Sequence, residues 1–521
     1  MSKLNLKSIS PLIAVILLVL VAVVIIGVIL AWGKGFTNDS LGGTDVDTYK
    51  RSTELSGIIK SKQVIGNNVF LENISSNKNI EIIGYKINTF SLTHDLLNTF
   101  VPLDENITLN YSSTQKLELP LPSDKKVMVD LYTSNNEIIS VEFNNIQAKN
   151  VFAKIFVGSS TESGESVQQT TDGGYIFIGY KNSDVYLVKT DSVGVLDWNY
   201  TFGGSSNESG ESVQQTTDGG YIVIGYTASY GAGAYDFYLV KTDSSGVMDW
   251  NKTFGGSSSE YGDSVQQTSD GGYIVAGCTL SYGTGGYDFY LVKTDSSGVM
   301  DWNKTFGGSG NEYGKSVQQT SDGGYVIAGS TGSYGAGGSD VYLVKTDSSG
   351  VMDWNKTFGG SSSDYGYSVQ QTTDGGYVVA GRTDSSGAGG SDFYLIKTDS
   401  SGVMDWNYTF GGSDGDYGYS VQQTSDGGYV IAGSTGSYGA GGSDVYLVKT
   451  DSSGVMDWNY TFGGSNGDYG YSVQQTTDGG YVVAGITNSY GLVEGSTALF
   501  VFKTDSQGNI FNKLDDLPVL P

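Results

Sequence analysis

Seven near-copies of one segment run from about residue 151 to the C-terminus, and this repeat constrains the fold more than any other feature. Each copy is marked by the tripeptide Val-Gln-Gln, which begins at Val167, Val213, Val265, Val317, Val369, Val421 and Val473. The first spacing is 46 residues and the five that follow are 52 residues each. A fixed period near 50 residues is typical of repeat architectures, in which each unit buries its apolar face against its neighbours.

Each repeat predicts four short β-strands, as the copy between residues 316 and 360 illustrates. The predicted strands are residues 316–320, 325–329, 340–345 and 351–358. They are rich in β-branched and aromatic residues and are bounded by clusters of Asp, Gly and Ser, which is the expected strand signal. The second and third strands are apolar on consecutive residues, so we expect both of their faces to be buried.

Four-stranded sheets that are covered on both faces by copies of themselves are typical of β-propeller blades. The sequence therefore predicts a mainly β protein with a seven-bladed β-propeller over residues 151–514. An open solenoid is disfavoured because its coils are usually shorter and it needs distinct capping repeats. Residues 153–158 align with the fourth-strand ending at 199–204, so we expect them to complete the last blade, whose own fourth strand near 509–513 is degenerate.

An unbroken apolar run of 21 residues, 12–32, lies near the N-terminus. At 1.5 Å per residue it gives about 31 Å of helix, which is long enough to span a bilayer. Lys3 and Lys7 precede it, which favours a cytoplasmic N-terminus and an external remainder. The net charge of −27 makes nucleic acid a poor partner, and the single Cys278 excludes an internal disulfide framework.

The segment 7–17, Lys-Ser-Ile-Ser-Pro-Leu-Ile-Ala-Val-Ile-Leu, resembles the N-terminus of archaeal type IV pilins. In that family a basic and a small residue precede the cleavage site, and a Ser-Pro-x-Ile pattern lies inside the hydrophobic helix. The resemblance implies that a prepilin-type peptidase cuts between Ser8 and Ile9, after which the helix leaves the membrane and packs against other pilin subunits in a filament. Ile13 occupies the fifth mature position, where bacterial pilins carry Glu. The alternative is an ordinary uncleaved anchor.

Strand-like runs alternate with polar turns from about residue 52 to 148 and predict a small β-sandwich. The runs 68–73 and 79–88 resemble the sandwich domain of archaeal pilins and archaellins. The predicted organisation is a leader (1–8), a hydrophobic helix (9–34), a linker (35–51), the sandwich (52–148), the propeller (151–514) and a C-terminal tail (515–521).

The sequence predicts no enzyme activity, metal site or cofactor. His94 is the only histidine, and no zinc or haem pair of ligands is present. The Asp-x-x-Gly-x-x-x-Trp patterns resemble the blades of quinone-dependent dehydrogenases, but those blades break symmetry to hold one cofactor. The present repeats are almost uniform, whereas catalysis needs one unique constellation of side chains.

Two features common to the repeats have structural explanations. The Asp-Gly-Gly turns could supply calcium ligands, but we favour hairpin turns, in which Gly takes the left-handed conformation. The six tryptophans of the fourth strands are expected to wedge between blades. They are Trp198, Trp250, Trp302, Trp354, Trp406 and Trp458.

Each of these tryptophans precedes an Asn-x-Thr sequon on the predicted outermost strand. A glycan has room there, because alternation along the strand turns Asn away from the face on which Trp packs. The candidate glycosylation sites are Asn199, Asn251, Asn303, Asn355, Asn407 and Asn459. The alternative is that duplication of one blade copied its tripeptide.

The long loops between the second and third strands, together with the blade-to-blade loops, form the candidate binding face. They combine Tyr with Ser, Gly and Asp, a composition that suits sugars or a protein partner. The candidate residues are Tyr230, Asp236, Tyr282, Asp288, Tyr334, Asp340, Tyr438 and Asp444. Tyr313, Tyr365, Tyr417 and Tyr469 are assigned to the blade-to-blade loops, and Ser386 replaces Tyr in the fifth repeat. The alternative is that Tyr and Asp only order the loops.

Two functions remain. One is a cell-surface pilin-like filament subunit, a minor or tip pilin, that sits in the membrane before assembly and displays a propeller for adhesion. The other is a membrane-anchored surface propeller that never polymerises and binds glycans or proteins.

Overall fold

A computed structural model of the protein describes residues 151–156, 161–490 and 497–510 with their side chains. Elsewhere it describes only strand backbones, at 59–65, 68–73, 80–90, 99–109, 114–118, 126–133, 138–143 and 519–520. The chain divides into two compact units between Val151 and Phe152. Over these ranges no helix has the length and apolarity that crossing a bilayer would need. The predicted cleavage site at Ser8 and Ile9, the apolar run 12–32 and His94 lie outside the described residues.

Seven strands belong to the first unit and form two antiparallel sheets. They are β1 (Ile59–Ile65), β2 (Asn68–Asn73), β3 (Ile80–Phe90), β4 (Thr99–Leu109), β5 (Thr114–Glu118), β6 (Lys126–Thr133) and β7 (Ile138–Phe143). One sheet has the order β1-β2-β5 and the other β4-β3-β6-β7. The predicted sandwich further requires the two sheets to pack face to face, through side chains that lie outside the described set.

The second unit consists of seven blades of four antiparallel strands, the last of which gains a short fifth strand, and this confirms the predicted seven-bladed propeller. Blade 1 contains β9 (Ser166–Gln169), β10 (Tyr175–Lys181), β11 (Asp184–Thr190) and β12 (Leu196–Phe202), preceded by the separate strand β8 (Phe152–Phe156). Blade 2 contains β13 (Glu208–Gln215), β14 (Tyr221–Thr227), β15 (Asp236–Thr242) and β16 (Met248–Phe254); blade 3 contains β17 (Glu260–Gln267), β18 (Tyr273–Thr279), β19 (Asp288–Thr294) and β20 (Met300–Phe306). Blade 4 contains β21 (Glu312–Gln319), β22 (Tyr325–Thr331), β23 (Asp340–Thr346) and β24 (Met352–Phe358); blade 5 contains β25 (Asp364–Gln371), β26 (Tyr377–Thr383), β27 (Asp392–Thr398) and β28 (Met404–Phe410). Blade 6 contains β29 (Asp416–Gln423), β30 (Tyr429–Thr435), β31 (Asp444–Thr450) and β32 (Met456–Phe462); blade 7 contains β33 (Asp468–Gln475), β34 (Tyr481–Thr487) and β35 (Ala498–Thr504).

The core lies between the blades rather than within any one of them. As predicted, the second and third strands are buried on both faces, and β18 and β19 are buried at every residue. Ile222 and Leu239 of blade 2 pack in one cluster with Val265 and Tyr290 of blade 3. Each blade therefore buries its apolar faces only when a neighbour stands on either side.

The N-terminal strand closes the ring, as the sequence predicted. β8 pairs antiparallel with β35 and so supplies the fourth strand of blade 7. A two-residue strand from the predicted C-terminal tail, β36 (Val519–Leu520), pairs with the other edge of β8 in parallel. Blade 7 is thus built from both ends of the propeller sequence.

The predicted wedge role of the tryptophans is confirmed at six blade interfaces. Trp198 of blade 1 meets Tyr221 of blade 2 with ring centroids 5.7 Å apart, and the five later interfaces repeat this contact. Gly246 makes room for it, because a Cβ there would lie 2.5 Å from the Trp198 ring. The tryptophans therefore stabilise the joints between blades.

The innermost strands are sheet edges, and their exposed N–H groups need partners. Side chains of the preceding blade supply them. The N–H of Gln215 donates to Oε1 of Gln168 at 2.5 Å, and the same bond recurs at all seven interfaces, including Gln169 N–H to Gln474. A second closed set links Thr171 N–H to Gln215 Oε1 and its equivalents. The Val-Gln-Gln marker is therefore an inter-blade hydrogen-bonding device.

The first strand of each long repeat begins earlier than predicted. The sequence placed it at residues 316–320 in blade 4, whereas β21 runs over Glu312–Gln319. The pairing with β22 shifts register between Gly314 and Ser316, so Lys315 is the extra residue of a β-bulge. Gly and Lys at this point read as loop residues in the sequence. A bulge accommodates both without ending the strand.

Candidate functional site

A cavity of about 230 Å³ lies where the seven blades meet. It is lined by the Val and the first Gln of every Val-Gln-Gln marker, for example Val213 and Gln214 of blade 2. Each innermost strand runs from the long-loop face, where it begins, to the tight turn that follows its last Gln. Residues earlier in these strands therefore lie nearer the long-loop face, at one end of this central channel.

One such residue in each blade forms what we call the channel ring. It immediately precedes Ser-Val-Gln-Gln, and in blades 2 to 7 it is the bulged residue of the innermost strand. Bulges re-aim a side chain and are frequent beside binding sites. The channel ring comprises Glu165, Glu211, Asp263, Lys315, Tyr367, Tyr419 and Tyr471. Each of these residues is half-buried, and ring contacts, an ion pair and electrostatic interactions connect neighbouring members of the set.

Blades 1 to 4 carry the charged part of the channel ring. Lys315 Nζ lies 2.5 Å from Asp263 Oδ1, and its side chain remains 36% exposed. Glu211 accepts a hydrogen bond from Ser209 Oγ at 2.8 Å. Among the described residues, neither Glu165 nor Glu211 forms an ion pair with Lys or Arg. Within the described residues, these two carboxyl groups therefore lack a direct ion pair, although the charge of Lys315 acts on both.

Burial and mutual repulsion govern how these carboxyl groups ionise. Burial raises the pKa of Glu165 to about 7. Burial, with repulsion from Glu165 and Asp263, raises the pKa of Glu211 to about 8. Burial also raises the pKa of Asp263, although the Lys315 charge opposes it. Burial alone would lower the pKa of Lys315, but Asp263 raises it. At neutral pH Glu165 and Glu211 are therefore only partly ionised, and a cation placed beside them would favour their charged forms.

Blades 5 to 7 carry the aromatic part of the channel ring. The rings of Tyr367 and Tyr419 lie 5.4 Å apart and those of Tyr419 and Tyr471 lie 5.2 Å apart, both at steep angles. Burial raises the pKa of Tyr419 to about 12 and that of Tyr471 further. These phenols therefore stay protonated at neutral pH and can donate as well as accept hydrogen bonds.

A second layer of side chains surrounds the channel ring on the long-loop side. Tyr226, Tyr261, Tyr287 and Tyr313 form a chain of ring contacts with centroids 5.1, 6.1 and 5.3 Å apart. On the opposite side Arg382 lies over the rings of Tyr365 and Tyr417, at 4.4 and 5.0 Å from their centroids. The sequence assigned Tyr313, Tyr365, Tyr417 and Tyr469 to blade-to-blade loops. That assignment was wrong, because the strands begin one residue before them.

Two positions at which the repeats differ in charge and size meet around the channel. The channel-ring position reads Glu, Glu, Asp, Lys, Tyr, Tyr, Tyr along the chain. The second variable position lies on the second strand of each blade, opposite the residue that stands two before the channel-ring residue. From Tyr180 to Ile486 it reads Tyr, Tyr, Cys, Ser, Arg, Ser, Ile. Aligning the repeats would have exposed both positions. Sequence reasoning concentrated on what the repeats share and so missed them.

The predicted binding face lies on the same side of the propeller, and its two residue types differ in placement. The tyrosines Tyr230, Tyr282, Tyr334 and Tyr438 are 43–46% exposed. Each donates its hydroxyl hydrogen to a glycine carbonyl, as Tyr230 does to Gly203 at 2.8 Å. The aspartates are buried, and each accepts a hydrogen bond from a backbone N–H group of its own loop. They are Asp236, Asp288, Asp340 and Asp444. The rings are accessible to a partner, and the carboxylates shape the loops that hold them.

The six candidate glycosylation sites lie on the outermost strands. Asn199, Asn251, Asn303, Asn355, Asn407 and Asn459 are all exposed, whereas the tryptophan before each is half-buried. This placement leaves room for a glycan at every site.

The aspartates of the Asp-Gly-Gly turns bind protein groups. In blade 4, Asp322 accepts hydrogen bonds from Thr320 Oγ1 and Gly324 N, and it pairs with buried Lys345 at 2.9 Å. The same set recurs in every blade. Within the described ranges no group of three or more His, Cys, Asp or Glu side chains is placed to hold a metal ion.

The chain is similar in fold to several solved structures at low identity. It shares 10% identity with the Neurospora crassa Pan2 WD40 domain over 67% of this chain and 97% of that one, with a TM-score of 0.41. It shares 12% identity with a puromycin hydrolase mutant over 66% of this chain and 52% of that one, with a TM-score of 0.44. It shares 11% identity with YCF48 bound to a peptide over 69% of this chain and 97% of that one, with a TM-score of 0.39. No protein-family model and no curated protein sequence matches the chain. The assignment of this chain as a seven-bladed propeller therefore rests on its own strand pairing.

Proposed function

We propose that this protein is a pilin-like subunit of the cell surface whose propeller binds a ligand or protein partner at the long-loop end of its channel. One observation carries the binding role. In seven blades with largely repeated sequences, two positions that change in charge and size from blade to blade meet around the channel. Packing alone would be served by the same residue seven times, so the differences favour recognition of an asymmetric ligand.

The filament role is supported by the pilin-like segment 7–17 and by the acidic, disulfide-free remainder. The second candidate is a membrane-anchored propeller that does not polymerise, and the same apolar run 12–32 supports it. Mass spectrometry of the mature N-terminus, on sheared filaments and on membranes separately, distinguishes the two. A chain that begins at Ile9 in the filament fraction establishes the pilin. A chain that retains Lys7 and Ser8 and occurs only in membranes establishes the anchor.

The binding role is tested by making the channel ring uniform. The variant Glu165→Tyr/Glu211→Tyr/Asp263→Tyr/Lys315→Tyr gives every blade the residue that blades 5 to 7 already carry, so we expect the fold to tolerate it. The full-length chain and this variant are compared for binding to whole cells and to glycan and protein arrays. Loss of binding in a folded variant supports the site, and equal binding places recognition elsewhere.

We further propose that the propeller acts by binding and not by catalysis. The one lysine of the channel ring is held by Asp263, which leaves it poorly placed as a nucleophile. Hydrolase and lyase assays on polysaccharides test this, and turnover that is lost with Glu211→Gln would contradict it.

A further inference from the structure

We infer that the channel ring binds the side-chain ammonium group of a lysine on a basic protein partner, and this inference rests on the proposed binding function. The first support is chemical. Blades 1 to 3 bring three carboxyl groups to one end of a narrow channel, and among the residues that the structure describes only Asp263 forms a direct ion pair, with Lys315. An ammonium placed between Glu165 and Glu211 would donate two charge-assisted hydrogen bonds, one to each carboxylate, in a partly desolvated setting.

The channel ring already contains one contact between a lysine ammonium group and a carboxylate. Lys315 enters the channel from blade 4 and places its ammonium on Asp263. A second ammonium from outside would meet Glu165 and Glu211 in the equivalent way. Two hydroxyl groups also lie near Glu165, since its charge raises the pKa of both Tyr471 and Tyr180.

The cations of the site direct the ligand to one side. Arg382 occupies the faces of Tyr365 and Tyr417, and Lys315 occupies the side next to it. An incoming ammonium is repelled from blades 4 and 5 and directed to blades 1 and 2. A lysine side chain is slender, and the cavity lined by Val213 and Gln214 lies about 7–10 Å further along the strands.

A protein partner is favoured over an amino sugar by the surface around the ring. A broad aromatic face lies among Gly and Ser residues there, as in protein-binding loops. It is formed by the exposed loop tyrosines and by the tyrosines of the second layer, Tyr226, Tyr261, Tyr287 and Tyr313. The net charge of −27 attracts a basic protein at long range.

The test is calorimetric titration of the full-length chain in detergent with tetralysine amide. The neutral comparison ligand is the same peptide acetylated on every Nε, and the glycan comparison is fully deacetylated chitotetraose. We expect acetylation to weaken binding at least tenfold, and the double variant Glu165→Gln/Glu211→Gln to do the same. The matched control Asp249→Asn/Asp301→Asn removes two carboxylates from the outer strands and should change the affinity less than twofold.

A second measurement needs no variant. Binding of an ammonium ionises Glu165 and Glu211, so titrations at pH 7 in buffers of different ionisation enthalpy should show proton release. Equal binding of the acetylated peptide, an equal loss in the outer-strand control, or no proton release would overturn the inference. Binding of chitotetraose without tetralysine would also overturn it. The variant with tyrosine at every channel-ring position separates this inference from the proposed function. If that variant loses cell binding, the proposed binding function stands even when the lysine inference is overturned. If that variant binds cells normally, both the inference and the proposed function fail.

Discussion

Phe152 lies against Tyr175 with ring centroids 5.5 Å apart and planes at 60°, at the joint where the last blade meets the first. The same edge contact is made by Trp and Tyr at the other six joints. A Cβ at Gly194 would lie 2.7 Å from the Phe152 ring, just as Gly246 makes room for Trp198. Phe152 therefore replaces tryptophan at the one joint that the chain closes with its N-terminal strand.

We expect Phe152→Ala to destabilise the propeller by about 2 kcal/mol, below the cost of truncating a fully buried Phe because this ring is half-buried. Phe152→Trp restores the residue of the other joints and should keep or raise the melting temperature. Thermal unfolding followed by circular dichroism measures both. An alanine variant as stable as the wild type would show that ring closure does not depend on this contact.

Two aspartates contact Lys345 in blade 4, and they should differ in importance. Partial burial alone would raise the pKa of Asp322, but hydrogen bonds from Lys345 and Thr320 lower it to about 2. Asp322 lies 2.9 Å from Lys345, whereas Asp353 lies 3.5 Å away. We expect Asp322→Asn to lower the free energy of unfolding by ~1.5 kcal/mol, a modest value because the Asp322 side chain is 62% exposed and solvent screens the ion pair. We expect Asp353→Asn to lower it by less than a third of that amount.

This contact also predicts a dependence on acid. A carboxyl whose pKa is lowered by folding contributes stability above its unfolded value, and that contribution is lost as pH falls. In six blades the turn aspartates have pKa values of about 2, against an ordinary value of 3.8. Urea unfolding should therefore show stability falling between about pH 4 and 2, and an Asp322→Asn variant should lose less than the wild type.

The channel ring predicts the opposite trend at higher pH. Folding raises the pKa of Glu165 to about 7 and that of Glu211 to about 8, from an ordinary value of 4.5. Between the unfolded and folded pKa values, the folded chain therefore binds more protons than the unfolded chain. Stability should therefore decrease as pH rises from about 5 to 8. We expect Glu211→Gln to remove on the order of 2 kcal/mol of that decrease while changing little at pH 4. A wild-type stability that is flat over this range would contradict the burial of these carboxyls.

The exposed asparagines predict a glycosylated outer rim. Intact-mass and glycopeptide measurements on protein from the native source should find glycans at the six sites, including Asn303 and Asn355. Replacement of any one by Gln should shift the mass by one glycan and the stability by less than ~0.5 kcal/mol, because the side chains are exposed. Bare asparagine at all six positions would favour simple copying of the tripeptide.

The sequence predicted the parts of the fold that depend on local pattern. Consecutive apolar residues identified β22 and β23, and the likeness of residues 153–158 to later strand ends identified β8 as the closing strand. The start of β21 was missed because Gly314 and Lys315 are unusual strand residues, and only pairing with β22 shows that the strand continues through a bulge.

The candidate site was missed for a different reason. Glu165 and Tyr471 are 306 positions apart in sequence yet interact across the closing joint. No local pattern connects them, and the relation appears only when the repeats are superimposed and the ring is closed. The exposed loop tyrosines were found because their motif recurs.

The placement of β8 has a mechanical consequence. The N-terminal unit joins the propeller at Phe152, which is the first residue of the closing strand and pairs with Lys503. When a partner held at the channel is pulled away from the N-terminal unit, the force enters the propeller through β8 before it reaches any other blade. The five residue pairs between β8 and β35, with those of β36 on the other edge, must therefore withstand that force for attachment to last.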